Sequence, residues 1–519
     1  MASFIRHFRK AVTGLFLPGL KLYTEWVILG FIPVPRWISR IILARWLTPV
    51  DPFVDRDFYL AQITDPSMRR SAARDPTMHY FLVGRFDDYA PNPEFDPIFY
   101  RANNPQLAWA SYPLMHFATE DRNGVANEGR SLPLLRPPTA TQDAILILHH
   151  GRGGGSSQYL QLYEEKLSSE SAAVYRLVRV SRKRPLFRLL DRQSGIYHGR
   201  AFDLTADDSY FLELCRQFSI TRFVANHIVD LPQAITKIIP EFCQKAGIPF
   251  DVVLHDYLMI CPRLNLVDGS RHYCGEPPVE QCRLCVAENG ADFDVDDPAI
   301  WRRDAEDFVR AAQSVIAPSD DVRQRLERYW AGRQIAVWQP EGVQIFPEPK
   351  PIRLAEGEKL RIAVIGTLNV IKGYHILLTQ ARRTTEQNLP LQFTLIGESI
   401  NDSTLRQQGV NVHGRYREPE LPAILQSLAP HMIFQPSVCP ETWSFVTSAA
   451  LKQGIPVYAF DLGAIAERLR KLGRKTVIPW PLVYRAADLT HYFLAVRKTA
   501  LGKDQPQESG LTEAHPATQ

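Results

Sequence analysis

The residues best suited to chemistry lie in two short stretches, Gly366-Thr367-Leu368 with Lys372-Gly373, and Pro440-Glu441-Thr442-Trp443-Ser444-Phe445. A lysine is a point charge that can neutralise a leaving diphosphate. A helix N-terminus offers the same group free N–H donors and the positive end of a dipole. A carboxylate such as Glu441 can hold sugar hydroxyls. Together the two stretches describe a site for a nucleotide-sugar. Plainer roles are open to both residues. Lys372 fits a solvated lysine beside a turn, and Glu441 fits a carboxylate that stabilises the start of the next helix.

Both stretches need strands to deliver them and helices to receive them. Ile362 to Ile365 and Met432 to Gln435 are short apolar runs suited to buried parallel strands, as are Phe393 to Ile396 and Val457 to Phe460. Helices are expected at about 374–383, 419–427, 444–453, 463–471 and 486–499, with Ser444 as a cap. The glycines at 366 and 373 allow a turn with close backbone approach, and Pro436 and Pro440 stiffen the second loop. An earlier unit alternates in the same way. Its strands are expected at Ala144 to Leu148, Phe223 to Ala225, Val252 to Leu254 and Val315 to Ala317, with helices at 158–167, 206–217, 232–246 and 320–331. The proline-rich stretch from Phe346 to Pro351 reads as a hinge. The pattern predicts two doubly wound α/β units with a cleft between the carboxyl edges of their sheets.

A chain of 519 residues is long for one core. The division expected is 1–52, a basic and apolar segment; 53–140, a helical module and linker; 141–345 and 346–501, the two α/β units; and 502–519, a polar, disordered tail. In the module, Asp55-Arg56-Asp57-Phe58-Tyr59 matches Asp96-Pro97-Ile98-Phe99-Tyr100, and Met78-His79-Tyr80 matches Met115-His116-Phe117. The aromatics and histidines of this repeat read as core rather than as catalytic groups. In the first segment, apolar runs from Ala11 to Leu20 and from Trp26 to Pro35 are too short to span a bilayer. With their basic flanks they fit either a segment lying on an anionic membrane surface or one packed on the protein. A net charge of +4 gives no reason to expect nucleic acid as partner. Seven cysteines, an odd number, speak against a fully paired secreted scaffold and for a reducing, cytoplasmic compartment.

Other residues carry weaker signals. His255, at a strand end beside Asp256, is a candidate for the reacting centre, with a satisfied structural pair as the alternative; His227 is a similar, weaker case. Gly153, Gly154 and Gly155 follow a strand and lead into a helical stretch. Cys261, Cys274, Cys282 and Cys285 fall close together and end in a Cys-x2-Cys pair. They fit a structural zinc, buried thiols or a redox-labile pair. Catalysis itself needs no divalent ion if Lys372 and a helix N-terminus oppose the leaving charge.

The lines "IAVIGTLNVIKGYHIL", "PSVCPETWSFVTSAALKQGIPVYAF", "SVIAPSDDV" and "VVLHDYLMICPR" resemble the family-4 glycosyltransferases. The resemblance covers residues 143–500, and the repeat module resembles one attached to some bacterial transferases of this type. It implies two facing Rossmann-like domains (the GT-B architecture) and transfer of a hexose from a nucleotide-sugar with retention. The acceptor would be a glycan or lipid-linked glycan in surface polysaccharide or lipopolysaccharide assembly, on the inner face of the plasma membrane. Lys372 would hold the leaving diphosphate, Glu441 the donor sugar, and the backbone of Ser444 and Phe445 the phosphates. His255 would face the reacting sugar, the glycines at 153–155 would approach donor or acceptor, and Ser319 would line the cleft. Two positions depart from the family: Ala449 stands where a second glutamate meets the ribose, and Thr367 stands where an arginine is common. An epimerase or phosphorylase of the same architecture, and a degenerate polysaccharide-binding scaffold, are the rival functions.

Overall fold

The computed structural model describes residues 36–104, 107, 112–119, 143–149, 154–169 and 173–502, apart from 182–183, 207, 230, 232, 294, 296 and 343. The first 35 residues, the 120–142 linker, Gly153 and the tail beyond 502 lie outside the described residues. The chain forms two compact units, Met1–Gly153 with Tyr163–Val252, and Gly154–Leu162 with Val253–Gln519.

Among the described residues the first unit opens with the helices α1 (Arg36–Leu47), α2 (Arg56–Ala61), α3 (Pro66–Arg74), α4 (Pro76–Leu82), α5 (Pro97–Asn103) and α6 (Pro113–Thr119). Their starts follow from sequence. Asp55, Asp65, Asp75 and Asp96 each cap a helix by accepting backbone N–H bonds, and in the last three a proline occupies the first turn. Helices this short are held by packing rather than by propensity. Tyr59, Tyr80, Phe81, Phe95, Tyr100 and Leu114 form the core, joined by Leu43 and Leu47 of α1. Arg40 of α1 is tied to Asp51 and Asp75. The repeat is visible as a recurring pair: the Tyr59 hydroxyl lies 2.7 Å from His79 Nδ1, and that of Tyr100 lies 2.6 Å from His116 Nδ1. Both histidines are structural here.

A mixed sheet follows in the same unit. Of its eight strands this unit holds β1 (Ala144–His149), β2 (Ala173–Arg179), β3 (Leu186–Asp191), β4 (Tyr197–Asp203), β5 (Ile220–Ala225) and β6 (Phe250–Val253), with the helices α8 (Asp208–Gln217) and α9 (Ile235–Ala246) and the second half of α7 (Gly155–Ser169). The order is β4-β3-β2-β1-β5-β6. β1 runs parallel to β2 and β5, and β5 to β6. β3 runs antiparallel to β2, and β4 antiparallel to β3. The connections from β2 to β3 and from β3 to β4 are too short for a crossover helix, so each strand must reverse. β2, β3 and β4 escape a hydropathy reading because Arg176, Arg188 and Arg200 interrupt their apolar runs; Arg188 is buried against Asp96.

In the second unit α10 (Val279–Asn289), α11 (Pro298–Ala311), β7 (Ser314–Ala317), α12 (Asp320–Glu327) and β8 (Ala336–Val337) precede the second sheet. That sheet comprises β9 (Leu360–Ile365), β10 (Leu391–Ile396), β11 (Asn411–Gly414), β12 (Met432–Gln435), β13 (Val457–Phe460) and β14 (Val477–Ile478). Between and after them come α13 (Tyr374–Glu386), α14 (Asp402–Gln407), α15 (Leu421–Leu428), α16 (Phe445–Leu451), α17 (Gly463–Lys471) and α18 (Ala486–Ala500). The order is β11-β10-β9-β12-β13-β14, and every pairing is parallel. Alternate residues of β9 serve opposite cores: Leu360, Ile362 and Val364 pack on one side, Ala363 and Ile365 on the other. Both faces are therefore covered by helices, as a Rossmann-like sheet requires. The Phe346–Pro351 segment lies within this unit, with Lys350 N donating to Gly454 O at 3.0 Å.

His79 carries a consequence for stability. Burial lowers its pKa to about 4, against 6.5 for the free side chain. A histidine held neutral stabilises the fold fully above pH 6.5, and this contribution is lost as the pH falls toward 4, because the unfolded chain takes up a proton that the folded chain refuses. Urea denaturation at pH 7 and pH 4.5 should therefore find a larger acid-induced loss in the wild type than in His79→Gln, by on the order of 2 kcal/mol. Equal losses would contradict the assignment.

Candidate active site

The site is built where β9 and β12 end. Past β9 the chain turns at Gly366, and Leu368 N donates to Glu398 O at 2.8 Å. Asn369 Oδ1 accepts the Lys372 N–H at 3.0 Å, and Asn369 O accepts that of Tyr374 at 2.9 Å, closing a tight loop before α13. Gly373 sits at φ +83°, and a Cβ there would lie 2.0 Å from the Pro436 carbonyl oxygen. The loop after β12 is thus packed directly against the lysine loop, and Val438 N donates to Ile371 O at 3.0 Å. No side chain fits between them.

The second loop is fixed from its other side by α17. Ala464 N donates to Glu441 O at 2.8 Å. A Cβ on Gly463 would lie 2.6 Å from Glu441 N. With both loops anchored, Lys372 Nζ donates to Glu441 Oε1 in a short ion pair. Ser437 Oγ donates to the same oxygen at 2.6 Å. The Glu441 side chain is 12% exposed and that of Lys372 41%, so the pair is reachable from solvent. Burial opposes the charge on Lys372, but the Glu441 carboxylate, with Cys439 beside it, outweighs that cost and raises the lysine's pKa.

Behind Glu441 stands a polar network that sequence reasoning missed. Glu341 accepts bonds from Trp443 Nε1 at 3.1 Å and from the Ser448 hydroxyl. Arg468 donates to Ser444 O at 2.9 Å and to Ser448 Oγ at 2.6 Å, and lies 4.1 Å above the Trp443 ring. Burial lowers its pKa to about 10, so it stays charged at neutral pH. Nothing in the sequence flags this set, because Glu341 lies far from the other members in the chain and Arg468 reads as an ordinary cation in the last turn of a helix. Ser444 has φ +76°, a strained position for a residue with a Cβ, and its hydroxyl caps α16 by accepting from Thr447 N at 3.4 Å. The helix that it starts, at Phe445, has 7 residues, shorter than the sequence suggests.

The other expected residues fall as follows. Thr442 Oγ1 donates to the His255 carbonyl at 2.9 Å, so the histidine is brought beside the Glu441 loop. Its ring meets that of Tyr159 edge-on at 4.5 Å. Asp256 accepts from Leu258 N at 2.8 Å and shapes the turn after β6. Gly154, at φ +79°, leads into α7, and the Cβ position of Gly155 lies 3.7 Å from the Phe445 ring. Thr367 is exposed. Ser319 is fully buried and its hydroxyl caps α12, so it shapes a loop instead of offering a free hydroxyl. His227 belongs to the first unit, its ring 6.1 Å from that of His149.

Among the described residues no three His, Cys, Asp or Glu side chains converge to hold an ion. Arg302 places a guanidinium nitrogen 3.1 Å from Cys282 Sγ. Burial pushes Cys261 up to about 11 and Cys274 up to about 12, which keeps them as thiols.

No family model and none of the curated proteins matches this chain. Similar solved structures include Anabaena Alr3699/HepE in complex with UDP and glucose, at 16% identity over 69% of this chain and 91% of that one, with a TM-score of 0.38. TarM gives 13% identity over 71% and 94%, with a TM-score of 0.42. The lipopolysaccharide outer core galactosyltransferase WaaB, in its apo form, gives 12% over 69% and 100%, with a TM-score of 0.38. At such identities and scores the chemistry of this chain has to come from its own atoms.

If Glu441 is what keeps Lys372 charged, Glu441→Gln should bring the lysine's pKa below that of the wild type, since burial then acts without its counterweight. Titration of the lysine 13Cε resonance reads this directly. An unchanged midpoint would mean that the two groups are not coupled.

Proposed function

We propose that this chain is a nucleotide-sugar-dependent glycosyltransferase whose donor site is the Lys372–Glu441 pair. The observation that carries this reading is that Lys372 Nζ and Glu441 Oε1, delivered by loops after two different strands, meet at one solvent-reachable point. The carboxyl edge of a parallel sheet is where open α/β folds bind ligands. Both bonds to the carboxylate fall on Oε1, which leaves Oε2 for donor-sugar hydroxyls. A diphosphate would draw the lysine ammonium toward itself.

In the proposed reaction the bond from the anomeric carbon to the diphosphate oxygen breaks as the acceptor oxygen bonds to the same carbon. The acceptor proton passes to the departing diphosphate or to solvent. Lys372 opposes the charge that builds on the diphosphate, and Glu441 fixes the sugar. Entry of the acceptor on the face from which the diphosphate leaves would give retention. His255, whose carbonyl accepts from Thr442 on the Glu441 loop, would face the reacting sugar. A glycan or lipid-linked glycan of the cell surface is the proposed acceptor class.

Donor binding should be weak. Ala449 packs against the core where a ribose-binding glutamate would help, and exposed Thr367 supplies no cation. A missing charge-assisted hydrogen bond costs ~1.5–3 kcal/mol.

A second reading treats the ion pair as purely structural, since the two charges already satisfy one another. Thermal unfolding in a panel of nucleotide-sugars separates the two. At least one donor should raise the melting temperature of the wild type, and Lys372→Ala should lose that shift, with turnover of the same donor lower by at least about 100-fold. The same stabilisation in wild type and variant, or none in either, would favour the structural pair.

A further inference from the structure

A cavity of about 310 Å³ lies within the first unit, between the helical module and the β3–β4 edge of the mixed sheet. Its wall includes Phe58, Phe202, Arg184, Arg200, Asp203 and Ser209. That volume is at the small end of the range for ligand sites.

Charge bookkeeping across its walls is uneven. Three carboxylates line the cavity, and each has close partners. Asp88 takes Arg101 at 2.5 Å and the Ser181 hydroxyl at 2.8 Å. Asp96 takes Arg188 at 2.5 Å and the Ala201 amide at 2.8 Å. Asp203 takes the Thr205 hydroxyl at 2.6 Å and its amide at 2.9 Å. Arg184 is the contrast. It is only 8% exposed, yet its bonds are long: 3.4 Å to Asp88 O, 3.3 Å to Gln62 O and 3.5 Å to Asp203 Oδ2. Charge-assisted bonds of a settled guanidinium run to about 2.7–2.9 Å. The ring of Tyr89, 4.0 Å from the guanidinium carbon, holds the group from one face. A buried cation whose one carboxylate partner, Asp203, stands at 3.5 Å is incompletely satisfied, and an anion entering the cavity adds the closer partner.

Arg200 adds a second guanidinium. It stands 4.0 Å over the Tyr210 ring and 5.3 Å from that of Phe58. Phe58 and Phe202 add apolar surface to the lining, which suits the carbon skeleton of a sugar, while the arginines suit an attached acidic group.

We propose that this cavity binds an anionic sugar unit, with Arg184 and Arg200 gripping its acidic group. The site lies in a different unit from the Lys372–Glu441 pair and stands whether or not that pair transfers a sugar.

The test is thermal unfolding and saturation-transfer NMR of the full chain with glucuronate, glucose 6-phosphate, glucose and inorganic phosphate. Glucuronate, glucose 6-phosphate or both should bind and stabilise, and which of them does so identifies carboxylate or phosphate as the acidic group. Glucose and inorganic phosphate should bind at least about tenfold more weakly. Arg200→Glu should weaken the anionic sugar by a similar factor. Should that variant fail to fold, Ser209→Trp, which fills the cavity from an exposed position, should do the same. Equal binding of glucose or of inorganic phosphate, no binding of either anionic sugar, or full binding by the folded variant would each overturn the proposal.

Discussion

The ion pair between Lys372 and Glu441 closes the loops after β9 and β12 onto each other, and much of the second unit is arranged so that it can form. A lysine whose charge burial opposes needs an anion nearby, and a carboxylate at 12% exposure needs donors. Each supplies the other's need while part of the lysine stays in reach of solvent. A pair of this kind is poised to exchange partners when a ligand brings its own charge.

Precision in that pair comes from close packing of backbone. Gly373 lets the lysine loop rest on the Pro436 carbonyl, and Gly463 lets α17 begin against Glu441. Larger residues at either place would push the two charged groups apart. The Glu341–Ser448–Arg468 network anchors the remainder of the loop, holding Trp443 and the strained Ser444 that starts α16. A buried network with all its members paired specifies one arrangement. It is therefore as much a part of the site as the two groups that face solvent.

Much of this was legible in the sequence. β12, β13 and α17 have the expected bounds, since short apolar runs between glycine and proline turns leave few alternatives. Lys372 and Glu441 were readable because each follows such a run. The three strands after β1's helix were not, because arginines break their apolar pattern; the one in β3, Arg188, is buried against a partner far along the chain, Asp96. Ser319 shows a local role that the sequence also allows: a serine ahead of a helix readily caps it. The four cysteines have suggestive spacing, but spacing says nothing of the arginine that lies against Cys282. Glu341 and Arg468 meet only through tertiary structure, and no window along the chain contains both.

A structure of the protein with a bound nucleoside diphosphate sugar tests the central claim most directly. The account predicts the diphosphate within hydrogen-bond distance of Lys372 Nζ and a sugar hydroxyl on the Glu441 carboxylate. A donor bound elsewhere, with the ion pair intact, would contradict it.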